Sequence, residues 1–416
     1  MNLSFKNIHS NISFLNNWFL TAGIIALVGI FFSRAMISIG MIGIVLIFIL
    51  TKSWQKTFFF KSENLVLFFL APVLLMYLIG GIWTENHAYW LDRIQVKLPL
   101  VFLPLGAWAI KDILRQRTID LLILIFIGLC AATALGSFVY YLVHFKEVTE
   151  SYKHAKTIPT IIEHIRFSLL LAIAVFAALQ AYFNSSLLTT KNQKYFVAGM
   201  GLFIFIFLHV LSIRSGLLAL YATGFVWLIV YVFQSGKKKF LLVLPAGIAF
   251  LVLMYFFVPS LHNKANYMVR DISQFTTGKS VNNYSDGNRL LSMKIGVQVG
   301  LEHALTGVGS GDVQDAMGEV YKNEYPDIDK RNRLIPHNQF VYVFTALGII
   351  GLLIFIICLA YPLFNQYVLG DIFCLAVLIS SYTSFLSEST LELQQGIVLV
   401  SLLFSFAYLR EVVATD

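Results

Sequence analysis

The chain reads as an all-α, polytopic transmembrane helical bundle, and three observations predict it. Hydrophobic residues make up 58% of the 416 positions and charged residues 12%, with a mean hydropathy of +0.77. That much apolar surface cannot be hidden in one soluble core. Apolar runs also recur from Asn17 to Leu409, many near the ~20 residues that a helix needs to cross a ~30 Å hydrocarbon layer. Finally, the runs are uniformly apolar and do not alternate, which excludes a β-barrel.

Taken in order, the runs predict spans near Asn17–Phe32, Met36–Leu50, Asn64–Trp83, Val96–Ile110, Ile119–His144 and Arg166–Phe183. Tyr195–Ile213, Gly216–Phe233, Phe240–Val258, Gln339–Ala360, Asp371–Phe385 and Gly396–Leu409 follow, giving about twelve. Lys, Arg, Asn, Pro and Gly bound them. The residues before the first span are polar and no A-x-A-like site follows, so that span is expected to be a retained anchor.

Orientation follows from Lys and Arg in short loops, which resist translocation. Lys52, Lys56 and Lys61, then Lys111, Arg115 and Arg117, then Lys191 and Lys194, then Lys237–Lys239 occupy alternate loops. This predicts cytoplasmic termini and an outer location for 259–337, a segment too long to be a connector. The chain divides accordingly into membrane helices over 1–258, a large outer loop subdomain over 259–337, and membrane helices over 338–416.

The net charge of +8 lies in these loop clusters, so it reads as topology signal and not as a nucleic-acid surface. Cys130, Cys358 and Cys374 fall within spans without metal or redox spacing. There is no internal repeat of the kind that marks a transporter.

Several residues stand out as chemistry. Arg214, in Ser212-Ile213-Arg214-Ser215-Gly216, lies between two spans with almost no loop. A cation there needs water or a partner, and the alternative is an anchoring arginine that snorkels. Arg289 opens an amphipathic segment after Ser285-Asp286-Gly287-Asn288, where an arginine and a helix start suit a phosphate; the alternative is a solvated helix face. Gly307-Val308-Gly309-Ser310-Gly311 lacks the strand context of a nucleotide loop and reads as a turn for close backbone approach.

Pro336-His337-Asn338 leads into the next span, and a histidine there suits either an interface or a general base. Glu388 and Glu392, four apart, would share a face if helical. Arg93 and Lys97 are further membrane-proximal cations on the outer side.

Together, the Arg289 segment, the Gly307–Gly311 turn, and Pro336-His337-Asn338 before Leu347-Gly348-Ile349-Ile350-Gly351 resemble the O-antigen ligase and polymerase superfamily. Ser212-Ile213-Arg214-Ser215-Gly216 resembles its Ser-Arg-Gly element, with Ser215 interposed. The resemblance implies a GT-C-type membrane fold with one large periplasmic loop in the bacterial inner membrane. It implies a metal-independent, inverting glycosyltransferase without cofactor. The glycan would pass from an undecaprenyl diphosphate carrier to an acceptor hydroxyl, such as that of lipid A core in lipopolysaccharide biosynthesis.

Under that resemblance Arg214 and Arg289 engage the diphosphate and His337 helps activate the acceptor. Arg93, Lys97, Gly309, Asn338 and Glu388 are candidate contacts to diphosphate or glycan. The single late loop favours a ligase over a polymerase. A protein O-oligosaccharyltransferase shares the donor chemistry, and a transporter or flippase for lipid-linked sugar is the alternative from another class.

Overall fold

The computed structural model describes residues 5–55, 62–152, 157–237 and 285–415, with scattered positions between 245 and 266. Among the described residues there is no strand. Eight of the described helices are long and apolar enough to cross a membrane, and Arg34–Leu50, Ala71–Ile82 and Ile372–Ser387 form shorter apolar helices. The predicted span Phe240–Val258 and the first part of the 259–337 loop fall almost wholly outside the described residues.

The first two spans are separate, as the sequence predicts. Helix α1 (Phe5–Phe32) stops at Ser33, whose hydroxyl caps α2 (Arg34–Leu50) by accepting from Met36 N. Gly40 of α2 lies against the α1 backbone, where a Cβ would stand 2.4 Å from Ala26 N. Small residues at such crossings let helices pack without a hydrophobic driving force between them.

The predicted third span is broken rather than continuous. A short 3-10 turn at Val66–Phe68 leads to α3 (Ala71–Ile79), and Gly80–Ile82 is again 3-10. Pro72 near the start of α3 has no N–H to continue an earlier helix, so a break just before it is expected. Helix starts earlier than predicted at the fourth span: α4 (His87–Lys97) is amphipathic and continues past Leu98 into α5 (Pro99–Ile110). Arg93 therefore lies on a helix ahead of the predicted span start at Val96, and Lys97 is the last residue of that helix.

Helices α6 (Gln116–Val143), α7 (His164–Asn184), α8 (Lys191–Leu211) and α9 (Arg214–Ser235) follow. The described part of the long loop folds into α10 (Ser285–Glu302) and α11 (Val313–Glu324). Three more long helices follow among the described residues: α12 (Gln339–Ala360), α13 (Ile372–Ser387) and α14 (Gln394–Thr415). Helices α7 and α14 are its most enclosed long spans, with 78% and 83% of their apolar windows buried. Helix α7 packs on α6, α8, α9 and α13, and α10 packs on α12.

Two glycine clusters meet. Gly348 interrupts α12 at φ 63° and ψ −164°, and Ile349 N donates to Ala304 O across the break at 2.8 Å. Val308 N and Gly309 N donate to the Thr345 and Ala346 carbonyls, each at 3.0 Å. Cβ atoms at Gly307 and Gly348 would stand 2.3 Å from the backbone of Ala346 and Leu305. Only glycine allows that approach with positive φ. The turn thus docks the loop onto a kinked span.

Buried ions join the helices at two places. At the end of the bundle where α14 finishes, Arg410 lies 3.1 Å from both Asp371 and Glu411 and 4.0 Å from Asp120. Near the start of α14, Lys97 and Glu392 pair at 2.7 Å with side-chain exposures of 0% and 1%. Such pairs are tolerated in a low-dielectric interior when their remaining hydrogen bonds are met.

Candidate functional site

The starts of α7, α9, α12 and α14 share one end of the bundle, and most of the candidate side chains gather there. At Ser212 the chain adopts φ 54°, which ends α8 and leaves Arg214 as the first residue of α9. Gly216 lies against Ser168 of α7, where a Cβ would be 2.5 Å from the serine Cβ. Arg214 on α9 and Arg166 on α7 therefore project from adjacent helix starts.

Helix α10 brings the second arginine. Arg214 Nη2 is hydrogen-bonded to Asp286 Oδ1, and Arg289 Nη1 lies 3.9 Å from the same oxygen. Two guanidiniums from distant parts of the sequence thus bracket one carboxylate. Their side chains are 43% and 26% exposed, which leaves them open to a ligand.

His337 is fixed by its neighbours. Its N–H donates to Ser292 Oγ on α10 at 3.2 Å, and Pro336 packs against Gly296. The imidazole Nδ1 is buried without a hydrogen-bond partner. Burial, then the nearby Arg289 charge, push the ring down to a pKa of about 4 despite the Ser387 carbonyl and Glu163. It is consequently neutral at pH 7.

Asn338 is the cap of α12: its side chain accepts from Phe340 N and Val341 N and donates to Leu386 O at 3.1 Å. It ties the start of α12 to the end of α13 and holds His337 opposite Ser387. Glu388, just beyond, is extended. Its Oε2 stands 3.9 Å from Arg166 Nη2. Burial, then Glu163, push the Glu388 carboxyl up to about 6 against the pull of Arg166 and Arg289.

Glu388 and Glu392 do not share a helical face, because the chain between them is an extended residue and a 3-10 turn (Thr390–Glu392). They serve different clusters. Glu392 accepts from Lys97 Nζ, from Tyr77 Oη at 2.9 Å and from Gln339 Nε2 at 3.4 Å. Arg93 donates to the Glu392 carbonyl at 2.8 Å and pairs with Asp92. Lys97 is thereby enclosed among protein groups and does not face the open end. Arg93 is 17% exposed on its side chain and borders the cluster from the α4 side.

Gly309 also faces protein: a Cβ there would be 2.6 Å from Thr84 Oγ1. Close backbone approach was the expectation for this turn, and the groups approached include Ala346, Leu347 and Thr84.

The structure adds Arg166, Glu163 and Asp286 to the sequence-derived set. Glu163 caps α7 by accepting from Ile165 N and Arg166 N. Arg166 also donates to Gln395 Oε1 at 3.2 Å. In the sequence, Arg166 stands only as a span boundary. Its signal was a cation at a span start on the same predicted side as Arg214.

Four helix starts and three guanidiniums favour negative charge at this end. The partly exposed Arg214 and Arg289 beside neutral His337 suit an anion joined to a group that must be activated. Residues 199–356 match the family model described as O-Antigen ligase. None of the curated proteins matches the chain. Arg214, Arg289 and His337 fall inside the matched segment, whereas Arg93, Arg166 and Glu388 fall outside it. The chain is an all-α polytopic helical protein, with eight described helices long and apolar enough to cross a membrane, whose residues 199–356 are similar to the O-antigen ligase family.

Proposed function

We propose that the protein transfers a glycan from a lipid-linked diphosphate donor, undecaprenyl diphosphate in kind, to an acceptor hydroxyl at the periplasmic face of the inner membrane. The domain itself indicates an O-antigen ligase or polymerase-type membrane enzyme of glycosyltransferase-like activity. The observation that carries the finer reading is the Arg214–Asp286–Arg289 arrangement, in which two arginines converge on one carboxylate oxygen.

In the proposed reaction Asp286 keeps the guanidiniums aligned until the donor diphosphate takes their free faces. As the glycosidic bond breaks, charge grows on the leaving diphosphate. Fixed guanidiniums in a partly dehydrated site stabilise that charge without reorganising. They supply the positive charge that a divalent metal supplies elsewhere. His337, locked by Ser292 and Asn338, positions and helps activate the acceptor hydroxyl opposite the leaving group, and in-line attack inverts the anomeric centre. The lipid-linked bond supplies the driving force.

A ligase with lipid A core as acceptor is the reading we favour, on the single large loop late in the chain. The direct test supplies purified protein with undecaprenyl-diphosphate glycan and candidate acceptors. Arg289→Ala and Arg214→Ala should each lower transfer by about 10²–10³-fold, the scale of losing one fixed donor to a developing charge. Normal transfer by both would refute the assignment. Movement of lipid-linked glycan across vesicles with no transfer to any acceptor would support a transporter instead.

A further inference from the structure

One titratable group at this end has no part in the scheme above, although its surroundings are built as carefully as those of His337. Glu388 is only 7% exposed, and its Oε2 has no hydrogen-bond partner although the atom is buried. The charged and titratable groups facing it come from two other elements: Glu163 and Arg166 at the start of α7, and Arg289 on α10. His337 shares two of these neighbours, Arg289 and Glu163, and faces the carbonyl of Ser387, the residue before Glu388. Two proton-accepting side chains with unmet polar atoms, Glu388 Oε2 and His337 Nδ1, therefore lie in one cluster beside the arginine pair.

We infer that Glu388 is the catalytic base of the transfer, with His337 orienting the acceptor hydroxyl and Arg166 holding the carboxylate in position. The inference rests on the glycan-transfer reading above. Its physical basis is the division of labour that divergent surroundings impose on two neighbouring groups. A base works best when its pKa lies near the working pH. Burial, then Arg289, hold His337 at about 4, whereas burial and Glu163 bring Glu388 to about 6. The carboxylate is thus the stronger base of the two, and is still mostly ionised at pH 7.

The step balances without a co-reactant. A lone pair on the acceptor oxygen forms the new bond to the anomeric carbon, and the anomeric carbon–oxygen bond to the diphosphate breaks. That electron pair stays on the diphosphate beside Arg214 and Arg289. The hydroxyl proton passes to the Glu388 carboxylate, which later releases it to water.

The test is a pH profile of kcat/KM for transfer, measured on the full-length protein in lipid nanodiscs with undecaprenyl-diphosphate glycan as donor. Wild type should lose activity as pH falls through about 6, because protonation removes the base. Glu388→Gln should be slower by about 10²–10⁴-fold, the usual contribution of a general base, and its residual rate should lack the acid limb. It should bind radiolabelled donor as wild type does. Glu388→Asp should recover part of the rate together with the limb, and His337→Gln should be slower yet keep the limb.

The inference is overturned if Glu388→Gln transfers within a few-fold of wild type, or if its acid limb persists. It is equally overturned if the limb disappears in His337→Gln, or if wild type shows none between pH 5 and 7. That last outcome needs no variant to fold. Absence of transfer by wild type with every acceptor would refute the glycan-transfer reading itself.

Discussion

Removing Lys97 while leaving Glu392 should be among the most destabilising single changes available in this protein. The two side chains are 0% and 1% exposed and 2.7 Å apart. Lys97→Met leaves a carboxylate enclosed in the bundle with the Tyr77 hydroxyl and the Gln339 amide as its side-chain donors. Breaking one side of a buried ion pair typically costs about 3–5 kcal/mol, while replacing both sides with groups of similar shape is often neutral. Lys97→Met should fall at the lower end of that range, since two of the three donors survive. Glu392→Leu strands an ammonium that sits 4.0 Å over the Tyr77 ring, and should cost about as much. The double variant should lose less than either single, a coupling of about 3 kcal/mol and the kind of non-additivity that touching groups display. Thermal unfolding in one detergent, with all four proteins side by side, reads this directly. Simple additivity, or a Lys97→Met protein as stable as wild type, would refute the description of the pair as structural. It would also return Lys97 to the donor-binding candidates.

Arg410→Leu should lower stability by about 3 kcal/mol, because it removes the cation between the buried Asp371 and Glu411 while Gln180 and Cys374 N still donate to Asp371; thermal unfolding in detergent checks it. Gly348→Ala should destabilise by more than the ~1–2 kcal/mol of left-handed backbone alone, since its Cβ would meet Leu305 at 2.3 Å. Trypsin sensitivity between α10 and α12 should rise with it. Asn338→Ala should cost about 0.5–2 kcal/mol as a lost helix cap and reduce kcat of transfer more than donor affinity, as His337 loses its fixed position. Arg214→Lys keeps the charge but loses the planar fork that bridges to Asp286, so donor binding measured with radiolabelled lipid-linked glycan should weaken.

Much of the bundle is legible in the sequence because lipid imposes a simple demand. Every backbone group must bond within its own helix, so an apolar run of the right length already reads as an element. The broken third span escapes that logic, since its 3-10 turns are closed by packing on neighbours and not by composition. The site divides in the same way. Arg214, Arg289 and His337 are visible because each is a polar residue stranded at the edge of an apolar run or in a conspicuous loop. Arg166 is hidden by its ordinary position at a span start, and Asp286 reads as a turn residue until α10 folds. The glycines announce close approach but not its partner, because contact between Gly307 and Ala346 depends on a kink 41 residues further along the chain.

The meeting of the two glycine clusters has a mechanical consequence. A loop tethered only by its ends would let Arg289 wander relative to Arg214 and lose register with every thermal excursion. Backbone bonds from Val308 and Gly309 to α12, and from Ile349 back to Ala304, instead stitch the described part of the loop onto a membrane helix midway along its length. Helix α10 is held again along its length, where His337 N donates to Ser292 Oγ and Thr345 Oγ1 donates to the Gly296 carbonyl, so Asp286 and Arg289 sit on a braced beam. The spacing of the two guanidiniums is therefore set by the packing of α10 on α12 and not by diffusion of a free loop.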